Sequence, residues 1–187
     1  MRFLFIFFSL CFFNISIGIA QSSQLSSRPQ IKIKSISAAP NIDGDVLGDI
    51  VWKGVTPITN LTQVSPNYGE ALSEKTHIRV AFSQKMVFVS VVCFDSNPAG
   101  IVVSDSRRDS DLNDEDSFLF IFDTYNDQQN GFLFGTNADA MQYDAQIDNE
   151  GEGNFSNNRQ QGGVVGGTNI NWDASWEVKT QRGDFGW

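Results

Sequence analysis

The sequence predicts an all-β fold, an antiparallel β-sandwich of jelly-roll type, from three observations. Several short runs alternate apolar and polar residues with a period of two, the signature of half-buried strands. Apart from one short turn, no stretch spaces its apolar residues at 3.6 and carries helix caps. Gly, Asn and Asp cluster between the runs, where a meandering chain needs turns.

Taken in order, residues 21–35 are a Ser- and Gln-rich lead-in passing into a first strand, and 48–54 is the one helical turn. In 76–83, Ile78, Val80 and Phe82 alternate with His77, Arg79 and Ala81, which predicts a half-buried strand with the larger apolar set inward. Residues 86–94 are apolar on both faces, Val87, Val89, Val91 and Cys93 against Phe88, Val92 and Phe94, and predict a covered strand. Residues 117–122 repeat that pattern, and 131–137 and 141–146 predict two more strands around turn residues 137–139. Residues 149–171, with six Gly among Asn and Gln, read as loop. In 173–180, Ala174, Trp176 and Val178 face one way and Ser175, Glu177 and Lys179 the other, predicting another strand. After a turn at 181–184, Phe185-Gly186-Trp187 reads as the start of a further strand, so the sandwich over 36–187 is expected to be incomplete at its C-terminal end.

Residues 1–20 have one charge, Arg2, then an apolar core and a small-residue stretch ending at Ala20, the tripartite shape of a secretory signal. Export is therefore expected, to the periplasm, outer membrane or cell surface. Of the two cysteines Cys11 lies in that leader, so no internal disulfide is expected, and Cys93 in its apolar run reads as a buried, inert thiol. The net charge of −9 argues against nucleic acid as a partner, because a polyanion needs a positive field.

His77 is the only histidine, which removes multi-histidine metal centres, and its strand position reads as solvent-facing rather than catalytic. Carboxylates are the remaining chemical resource. Asp105, Asp109, Asp111, Asp114, Glu115 and Asp116 could serve calcium or glycoside hydrolysis, or form a solvated loop neutralised by Arg107 and Arg108. Asp123, Asn126 and Asp127, at the end of a predicted strand, are candidate calcium ligands, although Asp and Asn also make turns by bonding their own backbone. Aromatic rings stack on the apolar faces of sugars. Tyr68, Tyr125 and Trp172 fall in loop or edge stretches and are the candidate carbohydrate contacts, whereas Trp52 and Trp176 read as core.

In sequence order, Pro40-Asn41-Ile42-Asp43-Gly44-Asp45 followed by Trp52, the paired strands over 76–95, Asp114-Glu115-Asp116-Ser117 running into 118–123, and the stretch 172–179 together resemble the family 9 carbohydrate-binding modules. The likeness covers about residues 36–187. The run 123–137 and the long Gly/Asn loop are most similar to versions at the N-terminus of large secreted proteins of Gram-negative bacteria, ahead of a C-terminal region predicted to be an outer-membrane barrel. The resemblance implies a β-sandwich, bound calcium in some members, and sugar chain ends held between two tryptophans. The first of those tryptophans would fall at 110–113, where this chain has Ser110, Asp111, Leu112 and Asn113; the second would lie past Trp187. Some cousins of the fold bind haem through Met and His, for which this chain has only His77, Met86 and Met141 outside the leader.

The expected function is thus a non-catalytic module binding a polysaccharide or oligosaccharide, continuing covalently into a C-terminal region, for which the resemblance implies a membrane barrel. The alternative is a structural or protein-interaction domain that has kept the sandwich and lost the sugar site.

Overall fold

Strands form where Val, Ile and Phe concentrate, because branched and aromatic side chains fit a pleated, half-buried surface. The computed structural model describes residues 29–151, 164, 165 and 167–187. The predicted signal over 1–20 and the start of the lead-in lie outside them. Among the described residues the regular elements are eight strands and three short 3-10 turns, with no α-helix. They are β1 (Lys34–Ser35), β2 (Thr76–Phe82), β3 (Val87–Cys93), β4 (Ser117–Phe122), β5 (Gly131–Asn137), β6 (Tyr143–Ile147), β7 (Val164–Val165) and β8 (Thr168–Asn169). The all-β class is the fold observed, in two sheets ordered β1-β2-β3 and β4-β5-β6-β8-β7.

All pairings are antiparallel except β1 with β2, which is parallel. A parallel neighbour requires a long return connection, and residues 36–75 supply it. Within that connection the 3-10 turn Ile50–Gly54 is capped by Asp49, whose carboxylate accepts from the Val51 N–H at 2.9 Å and the Asn41 N–H at 3.0 Å. Trp52 and Val55 then pack on Ala81 and Phe88, with Ile36 and Val46 against them, to form the core of the first sheet.

The register of that sheet reverses the face expected for β2. Ala81 pairs with Phe88, Arg79 with Ser90 and His77 with Val92, and Ala81, Phe88, Ser90 and Val92 are all buried. The covered face of β2 therefore carries His77, Arg79 and Ala81, and Phe82 is exposed. Trp52 needs a small residue opposite Phe88, and Ala81 provides that room where Phe82 would not. His77 is only half-buried and packs edge-on against Phe94, with ring centroids 4.9 Å apart.

In the second sheet β4, β5 and β6 fall where the sequence places them, within two residues. One face carries Phe118, Phe120, Phe122, Phe132 and Phe134 with Asp144 and Gln146; the other carries Leu119, Leu133, Gly135, Asn137 and Ala145. Gly135 is required by close approach. A methyl group there would sit 2.7 Å from Leu112 Cδ1 and 3.2 Å from Leu119 Cγ.

Two expectations are corrected. Residues 173–180 alternate in burial as predicted but join no ladder. Side chains stand between this segment and its neighbours: the Ala174 N–H donates to Asp144 Oδ2 at 2.5 Å, and Gln142 Nε2 donates to the Trp176 carbonyl at 3.0 Å. Within 149–171, read as loop, the described residues include the β7–β8 hairpin, which turns through Gly167 at φ +76° and pairs with β6 through β8. Residues 152–163 and 166 lie outside the description. As expected from the sequence, 185–187 lie in strand-like pairing. The Cys93 N–H donates to the Trp187 carbonyl at 2.7 Å, the Trp187 N–H returns to Cys93 at 3.0 Å, and the Asp95 N–H donates to Phe185 at 3.0 Å. No helix among the described residues is long and apolar enough to cross a membrane.

Candidate functional site

Pairing β4 with β5 lines up phenylalanines on one face, and the chain after β8 lays two tryptophans over them. Phe120 stacks on Phe134 at 5.5 Å and 19°, and Trp172 stacks on Phe132 at 4.5 Å and 23°. Trp176 meets Phe134 edge-on at 5.3 Å. These are the offset and T-shaped geometries that ring quadrupoles favour.

The end of this aromatic face is closed by ions. Asp144 is fully buried on β6, and its Oδ1 accepts from Arg108 Nη2 at 2.5 Å and from Trp176 Nε1 at 3.3 Å. Arg108 also donates to Asp173 Oδ1 at 3.0 Å and to Gln142 Oε1 at 2.9 Å, and its Nε lies 3.4 Å from Asp109. A buried carboxylate is tolerable because each of its oxygens meets a donor. Sequence reasoning missed this centre. Arg107 does neutralise its neighbour Asp105, at 2.5 Å, as a local reading suggests; Arg108, one residue on, points the other way and reaches across the fold.

The acids of 105–116 are spent largely on their own loop. Glu115 Oε2 accepts from the Ser104 N–H at 2.7 Å and the Ser104 hydroxyl at 2.9 Å, and Oε1 accepts from Asn137 Nδ2 at 3.1 Å. Burial pushes the Glu115 carboxyl up, but these donors outweigh it and leave it below the usual range. The Arg107 side chain holds Asp105 far below that range. Asp116 accepts from the Val102 N–H at 2.7 Å, and Asp111 from the Asn113 N–H at 2.9 Å.

Tyr125 projects from the loop joining β4 to β5 and is 72% exposed. The loop under it is tightly bonded. Asp123 accepts from the N–H groups of Asp127 and Gln128 at 3.2 and 2.8 Å. Asp127 accepts from those of Gln129 and Asn130, both at 2.9 Å, and these bonds, Asn130 first, lower its pKa. Asn126 and Gln128 adopt left-handed backbone at φ +55° and +61°. The calcium candidates thus share one loop, with their carboxylates turned onto its backbone. Among the described residues no three His, Cys, Asp or Glu side chains converge as a metal-holding group.

Of the three sugar candidates, the topology brings two together. Phe132 lies one residue into β5 from this loop, so the Trp172–Phe132 stack and Tyr125 occupy the same end of the second sheet. Tyr68 is 86% exposed on a separate loop closed by the Thr62–Ala71 bridge, in the chain leading to β2. A further open depression of about 430 Å³, lined by Ser106, Ala138, Asp139, Lys179, Thr180 and Arg182, was not legible in the sequence. Its Arg182 is bound to Asp139 at 2.6 Å.

Cys93 is half-buried, and burial first, then Asp116, pushes its thiol up to about 11. It is a thiol and not a thiolate at neutral pH, and so a poor nucleophile.

Comparison with known proteins gives no match to any family model, curated protein or solved structure.

Proposed function

We propose that this chain is a non-catalytic carbohydrate-binding domain of a larger exported envelope protein. The observation that carries the reading is Tyr125, held outward on an internally bonded loop at the same end of the sheet as the Trp172–Phe132 stack. An exposed phenol on an internally bonded loop costs little backbone ordering when a sugar face settles on it, and the stacked indole at the same end of the sheet is already positioned. Phe132 stacks on Trp172 and Phe134 meets it at 6.1 Å in a T-shaped contact, and the indole stays partly exposed for a ligand. Tyr68 is a peripheral contact in this reading.

Asp123, Asn126 and Asp127 belong to the same proposal as a calcium loop. Their oxygen donors suit a hard cation, and a carboxylate oxygen bonded to an N–H keeps a second lone pair. The acidic loop 105–116 supports a binding role over hydrolysis, since Asp105, Glu115 and Asp116 are committed to backbone and side-chain donors.

A second reading, a protein-interaction domain, is favoured by a different observation. Phe82, Met86 and Val87 gather at the β2–β3 turn, each at least 37% exposed.

Glycan-array binding of the folded domain, in calcium and in chelator, decides between them. On the first reading Tyr125→Ala lowers affinity about tenfold, the scale of one lost aromatic stack, without lowering the melting temperature. A folded domain silent across a broad array would end the carbohydrate reading.

A further inference from the structure

Among the described residues, the edge of β3 turned away from β2 is unpaired over most of its length. Alternation in an antiparallel ladder sends the backbone groups of alternate residues to opposite sides. On β3 the Phe94 N–H goes to Lys75, on the β2 side, and Cys93 exchanges both bonds with Trp187 on the far side. The N–H and C=O groups of Val87, Val89 and Val91 therefore point to the same far side as Cys93, where none has a backbone partner among the described residues. The strand reads Val-Phe-Val-Ser-Val-Val-Cys, with no Pro, no charge and no bulge to discourage pairing.

A second observation lies on the covered face of the same strand. Ser90 is 3% exposed, and among the described residues its hydroxyl has no hydrogen-bond partner; the buried Nε of Arg79, its cross-strand neighbour, equally has none. None of the ion pairs among the described residues includes Arg79. The Nε of a half-buried guanidinium and a buried hydroxyl, side by side without acceptors, are unpaired groups that call for a partner.

Both absences fall on one row. Gly186 bridges Phe94 and Trp187 pairs with Cys93, so a strand running on in that direction would bond Val91, Val89 and Val87 in turn. Its third residue past Trp187 would stand opposite Ser90, in a non-hydrogen-bonded pair, where side chains approach most closely. That side chain would lie on the covered face, beside Ser90 and within reach of Arg79.

We propose that the free edge of β3 is a strand-accepting site, filled by an extended segment contiguous with Trp187 whose third residue is a carboxylate paired with Arg79 and Ser90. The segment carries no Pro at its second, fourth and sixth positions, where its own N–H groups enter the ladder. An acid is called for at the third position because its two oxygens can accept from the buried Arg79 Nε–H and the Ser90 hydroxyl together, and the bond to the guanidinium is charge-assisted.

The test prolongs the 187-residue chain by six alternating Val and Thr residues, with Glu or Ala at the third position, and follows amide exchange and urea unfolding. Prolongation by either version slows exchange of the Val87, Val89 and Val91 amides about tenfold, the worth of one net hydrogen bond each. The Glu version has a folded-to-unfolded ratio at least about tenfold above the Ala version. That excess disappears in Arg79→Met and shrinks in Ser90→Ala, a milder change that keeps the comparison open if the first variant folds poorly. Three results overturn the proposal: exchange at the valines unchanged by prolongation, protection already present in the chain without it, or Glu and Ala versions that unfold alike.

Discussion

Asp144 is the residue on which the second sheet turns. It is fully buried, and its two oxygens collect Arg108, the Trp176 indole N–H and the Ala174 backbone N–H, three donors from two distant stretches of chain. Asp144→Ala removes the acceptor and leaves Arg108 with Asp173 and Gln142 as its partly exposed substitutes. The expected loss is about 3 kcal/mol, the scale of a buried charge network deprived of one member, seen as a lower urea midpoint with an unchanged slope. Asp144→Asn keeps one oxygen and loses less. A loss under about 0.5 kcal/mol for the alanine variant would show the network to be incidental. The sequence gives no sign of this pair, because 36 residues separate its members. Arg108 stands among nearer acids, and Asp144 reads simply as the polar member of an alternating strand. Local pattern identifies what a residue does to its neighbours along the chain, which is why Arg107 with Asp105 was legible and Arg108 with Asp144 was not.

At the scale of elements, the strands were legible wherever the apolar signal was dense. The bounds of β4 and β5 follow directly from Phe-Leu-Phe-Ile-Phe and Phe-Leu-Phe. The face of β2 was not legible, since β3 is apolar on both sides and the choice was made by Trp52 arriving from another part of the chain. Periodicity also cannot tell a paired strand from an extended segment held by side chains, so 173–180 had the right alternation and no ladder. The loop from Val102 to Asp116 shows how an irregular element is held without either. Glu115 binds the Ser104 backbone, the Ser104 hydroxyl and Asn137, and its folded pKa lies below the ordinary 4.5. A depressed folded pKa contributes stability that is complete above the ordinary value and lost as pH falls through the folded one. Acidification from about pH 6 to about pH 3 should therefore accelerate exchange at the Ser104 amide relative to its intrinsic rate, which itself falls over that range. In Glu115→Gln that extra acceleration is absent, and its persistence there would assign the acid sensitivity to another carboxylate.

For the whole molecule, the all-β class and its two sheets follow from composition and period, whereas the candidate site at one end of the second sheet depends on which loop ends meet. Tyr125 and Trp172 were both read as surface aromatics, but only the β4–β5 pairing places the Phe132 stack beside the Tyr125 loop. The net charge of −9 acts on all of this at once. Mutual repulsion among carboxylates destabilises the compact state, so any cation stabilises it by screening, and divalent cations do so efficiently. A calcium effect on stability is informative only against that background. With ionic strength held constant, calcium at about a hundred times its dissociation constant stabilises a single specific site by about 2.7 kcal/mol, or roughly 5–10 °C in melting temperature for a domain of this size. The calcium loop proposed at Asp123, Asn126 and Asp127 predicts that rise for calcium, a smaller one for equimolar magnesium, and loss of the difference in Asp127→Asn. Asp127→Ala should in addition weaken glycan binding, because Asp127 Oδ1 accepts the Gln129 and Asn130 N–H groups that fix the loop carrying Tyr125, an acceptor that asparagine keeps and alanine lacks. Equal rises with calcium and magnesium, both erased by salt, would assign the whole effect to screening and remove calcium from the proposed function, leaving the aromatic surface to bind sugar without it.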